Sequence, residues 1–328
     1  MRHTISVLLF ALLSLRAGST HAGIVTFGSG ANSFNMEFVT IGDAGNAADT
    51  TGNPNPAGAV SYEYQMGKYE VSEAMIDAYN AEFGTANSLV ITKDTRGADK
   101  PATSVSWNEA ARFVNWLNTS QGFQAAYKFT TGGVNDNIAL WSSAEAWQLG
   151  GENLYRHKDA HYWLPSMDEW YKAAYYDPVT DVYYDYPTGS NTAPTAVASG
   201  TTAGTAVYYG QAGPTDITLA GGLSPYGIMG LGGNAHEWEE TAFSLDNSSA
   251  SSFRGYRGGF WADGNPTLSI SSSGRGNNDP AFESFPAIGF RVASLSSTAA
   301  VPEPGSIAMI GSFGLMSLAY RRRRQSPR

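Results

Sequence analysis

The absence of cysteine constrains this chain more than any other feature of its sequence. None of its 328 residues is a cysteine, which excludes disulfide frameworks, thiolate zinc sites, iron–sulfur clusters and cysteine nucleophiles. The fold must therefore rest on a hydrophobic core. A chain this long can bury roughly three quarters of the surface of its unfolded form, as one large domain or two small ones.

Residues 1–22 have the pattern of a secretory signal peptide. Arg2 and His3 precede an apolar run from Ile5 to Leu15, and Thr20-His21-Ala22 offers small residues at the third and first positions before a cleavage site. A retained anchor helix is the alternative, but the run is short for the ~20 residues of a membrane span. We therefore predict export.

Residues 301–328 contain three parts in order. They are Val301-Pro302-Glu303-Pro304, an apolar stretch from Ile307 to Tyr320, and the arginines at 321–324. The stretch is marginal for a membrane span, and the arginines favour a cytoplasmic end. An ordinary tail anchor is one interpretation.

The order of these three parts resembles the PEP-CTERM sorting signal of Gram-negative bacteria that make exopolysaccharide. The resemblance implies an exosortase-type sorting enzyme as partner, a transient membrane anchor and cleavage near the Pro-Glu-Pro. The destination would be the periplasm, the cell surface or the extracellular matrix.

The formal net charge of −9 understates the acidity of the body of the chain, because both ends are basic. Between positions 23 and 300 there are 28 acidic and 13 basic residues, a net charge of −15. Such a body repels phosphate backbones, so we predict no nucleic-acid partner.

The predicted secondary structure is mixed. Strand patterns cover Phe34–Ile41 and Tyr62–Val71, and Ser72 could begin a helix that runs to about Phe83. Two capping boxes, Ser106-Trp107-Asn108-Glu109 and Ser166-Met167-Asp168-Glu169, predict two further helices. Residues 187–222, rich in Thr, Ala, Gly and Ser, indicate a long loop, and short strands follow.

Several motifs in fixed order then resemble the sulfatase-modifying factor family, whose type member is the formylglycine-generating enzyme. They are Met66-Gly67-Lys68-Tyr69-Glu70-Val71-Ser72, Pro101–Trp107, Trp163–Trp170, Gly233-Asn234-Ala235-His236-Glu237-Trp238, Arg257-Gly258-Gly259-Phe260-Trp261 and Gly289-Phe290-Arg291. The resemblance implies an α+β variant of the C-type-lectin-like fold with short antiparallel strands, two or three helices and many long loops. Its domain would span 23–300, with a core at about 35–295.

The resemblance also assigns two copper-binding catalytic cysteines, six and eleven residues after the basic residue of the Arg-Gly-Gly motif. Asp263 and Leu268 stand at those positions here. Copper(I) prefers soft thiolate ligands, which a carboxylate and a leucine cannot replace. We therefore expect no copper and no formylglycine-generating oxidase activity.

The family's calcium site would use the carbonyls of Gly233 and Ala235 and the carboxylate of Glu237. The upstream ligand, usually Asn or Asp, is Gly230 in this chain. Calcium prefers six to eight oxygen ligands, so the loss weakens the expected site. The alternative is that Glu237 caps a turn or pairs with an arginine.

The remaining candidates surround the ancestral cleft. The resemblance places His236 and Asp263 at active-site positions, and Phe260 replaces the serine that usually follows Gly-Gly. With Arg257, Trp261 and Arg275 they would offer a surface for a small ligand or sugar. The alternative is an ordinary packed region with both arginines in structural salt bridges.

Two further patterns carry weaker hypotheses. Glu237, Glu239 and Glu240 form an acidic cluster that is typical of a solvated face. His157 and His161 have a spacing that on a helix would permit a metal site, although their charged neighbours favour an exposed loop.

Three functions remain open. The first is an exported, non-catalytic module that binds a ligand or matrix component, such as an exopolysaccharide, at the cell surface. The second is an enzyme of altered chemistry that uses His236 and Asp263 as acid and base or as metal ligands. The third is a purely structural matrix protein without a specific ligand.

Overall fold

The computed structural model describes residues 23–282 and 286–296. The predicted signal peptide and sorting tail lie outside these ranges. Four α-helices occur in the described chain, of which the last is a single turn: α1 Glu73–Tyr79, α2 Trp107–Ser120, α3 Met167–Tyr175 and α4 Pro266–Ser269.

The strands are short, as the sequence predicts. They are β1 Gly23–Phe27, β2 Phe34–Ile41, β3 Tyr64–Gly67, β4 Ala146–Trp147, β5 Asn153–His157, β6 Tyr162–Trp163, β7 Tyr176–Asp177, β8 Val182–Tyr183, β9 Thr195–Ala196, β10 Thr205–Ala206, β11 His236–Ala242, β12 Arg254–Arg257, β13 Gly276–Asn278, β14 Ile288–Gly289 and β15 Ala293–Leu295.

Serine caps begin the three longer helices. Ser106 accepts a hydrogen bond from the Glu109 amide while the Glu109 carboxylate accepts one from the Ser106 amide, and Ser166 and Glu169 repeat this exchange at α3. The Ser72 hydroxyl likewise accepts from an amide in the first turn of α1. Each cap satisfies amides that a helix start leaves without partners.

A five-stranded antiparallel sheet joins the two ends of the described chain. Its strand order is β1-β2-β3-β15-β6, so β15, the last strand, lies between β3 and β6. The predicted strand at Phe34–Ile41 is confirmed as β2. The sequence pattern missed β1, which pairs with β2 along its whole length.

The second main sheet carries the candidate site. Its order is β13-β12-β11-β14, antiparallel except for the pairing of β11 with β14. β11 and β12 are paired so that Glu237 lies opposite Arg257 and Trp238 opposite Tyr256. This register brings the Asn-Ala-His-Glu-Trp motif beside the Arg-Gly-Gly motif.

Buried indoles hold helices and sheets together in the core. Each of four fully buried tryptophans donates its ring N–H to an oxygen on another segment of the chain: Trp107 to the Glu239 carbonyl, Trp163 to Glu169, Trp170 to Glu237 and Trp238 to the Val105 carbonyl. Such bonds let a large apolar ring be buried without an orphaned donor. None of the helices in the described ranges has the length and hydropathy of a membrane span. The predicted membrane segment at 307–320 lies outside those ranges.

Candidate functional site

A cleft of about 430 Å³ opens beside the four-stranded sheet. His236 enters it from the start of β11, and Asp263 from the loop that follows β12. Gly258 and Gly259 turn the chain between the end of β12 and Asp263, with φ angles of 92° and 73° that favour glycine. A Cβ at Gly259 would lie 2.4 Å from the Ile270 side chain and 3.1 Å from Asp263 Oδ2. The turn therefore also requires a residue without a side chain.

The structure brings His236 and Asp263 together. His236 Nε2 lies 3.6 Å from Asp263 Oδ2, and that oxygen accepts a hydrogen bond from the Phe260 amide at 2.9 Å. Burial lowers the pKa of His236 to about 4, because the charged imidazolium loses its hydration. Burial likewise raises the pKa of Asp263. The imidazole is therefore neutral at pH 7 and can donate or accept a hydrogen bond.

The two predicted arginines line the cleft but are already paired. Arg257 Nε donates to Glu239 Oε1 at 2.6 Å, and Arg275 Nε donates to Glu239 Oε2 at 2.9 Å. Their remaining donors meet backbone carbonyls, among them those of Gly274 and Phe243. The alternative of structural salt bridges is what the geometry shows. The arginines form a rigid wall of the cleft around one shared carboxylate.

The other cleft candidates are split between the cleft and its surroundings. Leu268, at the second cysteine position, lines the rim on α4 and is 75% exposed. The Phe260 ring lies 5.3 Å from the His236 ring but does not line the cleft. Trp261 is buried elsewhere, against Val207, with the Arg96 guanidinium 4.6 Å from its ring. The predicted tryptophan face in the cleft is therefore not formed.

The interpretation of the acidic cluster as a solvated face is wrong. Glu237, Glu239 and Glu240 are each fully buried, and each pairs with arginine. Residues 239 and 240 alternate across the strand, so Glu239 meets Arg257 and Arg275 while Glu240 meets Arg156 on the other face. A run of acidic residues does not reveal arginine partners that lie more than fifteen residues away along the chain.

The calcium candidates surround a buried ionic cluster. Glu237 accepts hydrogen bonds from Arg291 on both oxygens and from Trp170 Nε1 at 2.7 Å. Opposite it lies Glu70, which the sequence analysis did not single out. One Glu70 oxygen accepts from Asn234 at 2.7 Å, and the other is buried without a hydrogen-bond partner among the described residues.

Glu70 also occupies the space next to Gly230. A Cβ at position 230 would lie 3.1 Å from the Glu70 carboxyl carbon, so a carboxylate from another segment stands beside the position of the missing ligand. Burial and the charge of Glu237 raise the pKa of Glu70 well above its usual range. The raised pKa favours a proton on Glu70, which a cation would have to displace, and Glu237 is committed to Arg291. Calcium binding therefore stays a prediction.

The two spaced histidines do not lie on a helix. His157 ends β5, with its ring packed edge-on against Trp141 at 4.6 Å, while His161 stacks on Phe123 at 4.3 Å. The expectation of an exposed loop is wrong for His157, which is buried. Both rings make aromatic contacts.

Comparison with known proteins identifies the family of this domain. A profile of the sulfatase-modifying factor enzyme 1-like domain matches residues 20–295. The chain belongs to this family. The cleft of this sulfatase-modifying factor domain thus carries Asp263 and Leu268 where the resemblance assigns the two cysteines.

Solved structures agree on the fold. Variable protein 1 of Treponema denticola has a TM-score of 0.53 and 19% identity, over 83% of this chain and 99% of that protein. The crystal structure of CarF has a TM-score of 0.54 and 17% identity, over 79% of this chain and 98% of that protein. At these identities the likeness establishes only the fold, the α+β architecture of formylglycine-generating-enzyme-like proteins. No curated protein sequence matches the chain.

The sorting tail is also confirmed by comparison. A profile of the PEP-CTERM protein-sorting motif matches residues 300–324. This motif is a signal for exosortase processing, and it marks proteins that are exported and attached to the cell envelope of Gram-negative bacteria. The sulfatase-modifying factor domain is therefore part of an exported protein.

Sequence reasoning missed Tyr256 and Ser269 in the cleft. Tyr256 precedes Arg257 on β12, and its ring lies 4.8 Å from that of His236. Ser269 lines the cleft from α4, where its hydroxyl donates to the Asn265 carbonyl at 2.8 Å. The position of Tyr256 next to the arginine motif was the available signal, whereas the single-turn helix that carries Ser269 left no clear pattern.

Proposed function

We infer that this chain is an exported, non-catalytic sulfatase-modifying factor domain that binds a ligand or matrix component at the cell surface through the cleft at His236 and Asp263. The observation that carries the proposal is the occupancy of the two cysteine positions. Asp263 and Leu268 both line the cleft, so its walls are present without the thiolates that copper(I) requires.

The chemistry of the cleft supports a polar, uncharged or weakly charged ligand. The single carboxylate of Glu239 neutralises only part of the charge of Arg257 and Arg275. The N–H donors of both arginines are nevertheless used by that carboxylate and by backbone carbonyls. The other polar groups that line the cleft are the neutral imidazole of His236, which also hydrogen bonds to the Arg257 backbone, the carboxylate of Asp263 and the half-buried ring of Tyr256. Hydroxyl groups on an apolar ring, as in a sugar, match this set.

One observation favours a second candidate, an enzyme of altered chemistry. His236 and Asp263 lie 3.6 Å apart, and burial moves the pKa of each in the direction that favours its neutral form. Groups arranged in this way can exchange a proton with a bound substrate. The two candidates differ in whether a bound ligand is chemically changed.

A binding screen on immobilised glycans with the purified full chain separates these ideas. We expect Asp263→Asn to weaken binding at least about tenfold, the usual effect of losing one charged hydrogen bond. Trp261→Phe is the matched control, because Trp261 lies outside the cleft. Ligand recovered unchanged supports the binding module, whereas a new product supports the enzyme. Binding that ignores Asp263→Asn would contradict a ligand in this cleft, and an absence of any ligand would favour the structural matrix protein.

The loss of the family's oxidase chemistry has its own test. The full chain is incubated with a sulfatase-type cysteine peptide, copper and oxygen, and the peptide is followed by mass spectrometry. We expect the peptide cysteine to remain unconverted. Any formylglycine would falsify the non-catalytic assignment.

A further inference from the structure

A second depression, of about 340 Å³, lies on a different part of the domain, along α2. We call it the aromatic groove. Its lining is defined by five apolar side chains and two cations, namely Phe83, Leu89, Trp116, Phe129, Trp141, Arg112 and Lys128. Its volume falls within the range of sites for small molecules.

Both cations lie over aromatic rings. The Arg112 guanidinium carbon is 3.8 Å from the centre of the Phe129 ring, and Lys128 Nζ is 5.2 Å from the centre of the Trp141 ring. Neither cation forms a salt bridge among the residues that the structure describes. In a body with a net charge of −15, two such cations in one groove form a local positive site.

The acidic groups nearest to these cations are engaged in their own turns. Asp136 accepts a hydrogen bond from the Gly133 amide at 2.7 Å, and Glu145 accepts one from the Ser142 hydroxyl at 2.7 Å. Both residues are partly exposed, so water screens part of their attraction to Arg112 and Lys128. They leave the positive charge of the groove available to a ligand.

The floor of the groove has few polar groups to offer. The side-chain amide of Asn115 donates to the Tyr127 carbonyl at 2.7 Å and accepts from the Tyr127 amide at 2.9 Å. Trp141 Nε1 donates to the Ala126 carbonyl at 2.9 Å, which together with the His157 contact fixes the orientation of the ring. A complementary ligand therefore needs an apolar face for the rings and a negative charge for the cations.

We propose that the aromatic groove binds the carboxylate-bearing sugar units of an acidic polysaccharide, such as a polyuronate. The apolar C–H face of a pyranose ring packs on Trp141 and Phe129, and its carboxylate pairs with Lys128. Arg112 already donates to the Val134, Thr131 and Gly133 carbonyls, so it contributes its positive charge to the groove and not a direct pairing. Water-exposed hydroxyls on the other face need no partner in the floor. This site is separate from the cleft at His236 and Asp263, and it stands whether or not that cleft binds a ligand.

Calorimetric titration of the full chain with oligogalacturonate tests the proposal, with an uncharged galactose oligomer of equal length as the comparison. We expect binding of the acidic oligomer to be at least tenfold tighter than that of the neutral one, and to weaken in 0.5 M salt as expected for an ionic contact. We expect Lys128→Gln to weaken it about fivefold and Trp141→Ala at least tenfold. Trp141→Phe, which keeps a ring, should retain most of the binding and guards against misfolding of the alanine variant.

Matched controls assign the site. Lys68→Gln removes the same charge from a lysine that also lies over a ring, that of Tyr69 at 5.4 Å, outside the groove. This variant and Asp263→Asn should both bind like the parent. Equal binding by the parent and Lys128→Gln, equal affinity for the neutral oligomer, or a loss of binding in Asp263→Asn alone would each overturn the proposal. Benzoate that competes as well as the sugar would assign the groove to aromatic acids and overturn it too.

Discussion

His236 Nε2 and Asp263 Oδ2 lie 3.6 Å apart in the cleft of a domain that has no cysteine. The pair resembles a salt bridge in its distance but not in its charge. Burial lowers the pKa of the imidazole to about 4, so His236 is neutral at pH 7. The pair is therefore best described as a polar contact that a ligand hydroxyl can join.

His236 should make the stability of the domain depend on pH. In the unfolded chain the imidazole binds a proton near pH 6.5, whereas in the folded chain it does so only near pH 4. The contribution of His236 to the free energy of unfolding is fully present above pH 6.5 and is lost as the pH falls toward 4. The total loss is about 3 kcal/mol. Urea unfolding between pH 7 and pH 4 measures this loss, and His236→Asn should show less of it. Parallel curves for parent and variant would contradict the lowered pKa.

Glu239 should be among the most sensitive positions of the site, because it is the carboxylate shared by Arg257 and Arg275. Glu239→Gln leaves buried guanidinium groups without a counter-charge, which typically costs about 3–5 kcal/mol. Glu37→Gln breaks the half-exposed pair with Lys68 and should cost about 1 kcal/mol or less. Urea unfolding of both variants compares the two losses. Equal losses would show that the wall of the cleft does not depend on the shared carboxylate.

The calcium prediction can be tested through stability. If Gly233, Ala235 and Glu237 hold calcium, a chelator should lower the midpoint of thermal unfolding, on the order of 5 °C from calcium at a hundred times its dissociation constant. Glu70→Gln should reduce this response if the free Glu70 oxygen joins the site. A midpoint that the chelator leaves unchanged would show that the Glu237–Arg291 pair excludes the metal.

The sorting motif predicts a change of location when it is removed. Deletion of residues 301–328 removes the matched segment 300–324 almost entirely. We expect the shortened protein to appear as soluble protein in the medium or the periplasm and no longer attached to the membranes or surface of the cell envelope. Cell fractionation and immunoblotting measure the distribution, and an unchanged location would argue against envelope attachment through this tail.

The sequence predicted those parts of the fold whose signals are local. Phe34–Ile41 and the capping boxes at Ser106 and Ser166 were found because a strand's alternation and a helix cap lie within a few neighbouring residues. The strand β1 was missed because the residues that follow it are rich in Gly and Ser, and because its stabilising contacts are tertiary: the pairing with β2 and the packing of Phe27 against Tyr162.

The site was predicted only in part, because its partners are distant in sequence. His236 and Asp263 were placed in one cleft by the family resemblance, but the burial of Trp261 depends on Val207 and Arg96, which no local pattern connects to it. The buried state of Glu239 and Glu240 likewise depends on arginines far along the chain. The charge of these glutamates alone favours a solvent-exposed position, whereas their ion pairs with distant arginines stabilise them in the buried state.

The two capping boxes give a final prediction, because the same local motif serves different surroundings. Glu109 accepts hydrogen bonds from the Ser106 and Thr92 amides, whereas Glu169 caps α3 and also accepts from Arg156 at 3.1 Å. Arg156 is buried and is shared with Glu240. Glu109→Gln keeps an acceptor for neutral donors and should cost about 1 kcal/mol, the usual value of a cap.

Glu169 is a charged acceptor for Arg156, for the Trp163 ring N–H and for the Tyr62 hydroxyl. Glu169→Gln weakens these bonds and turns an NH₂ group toward buried donors, so it should cost about 3 kcal/mol or more. Urea unfolding of both variants measures the difference. Equal costs for the two glutamine variants would show that Glu169 acts only as a helix cap.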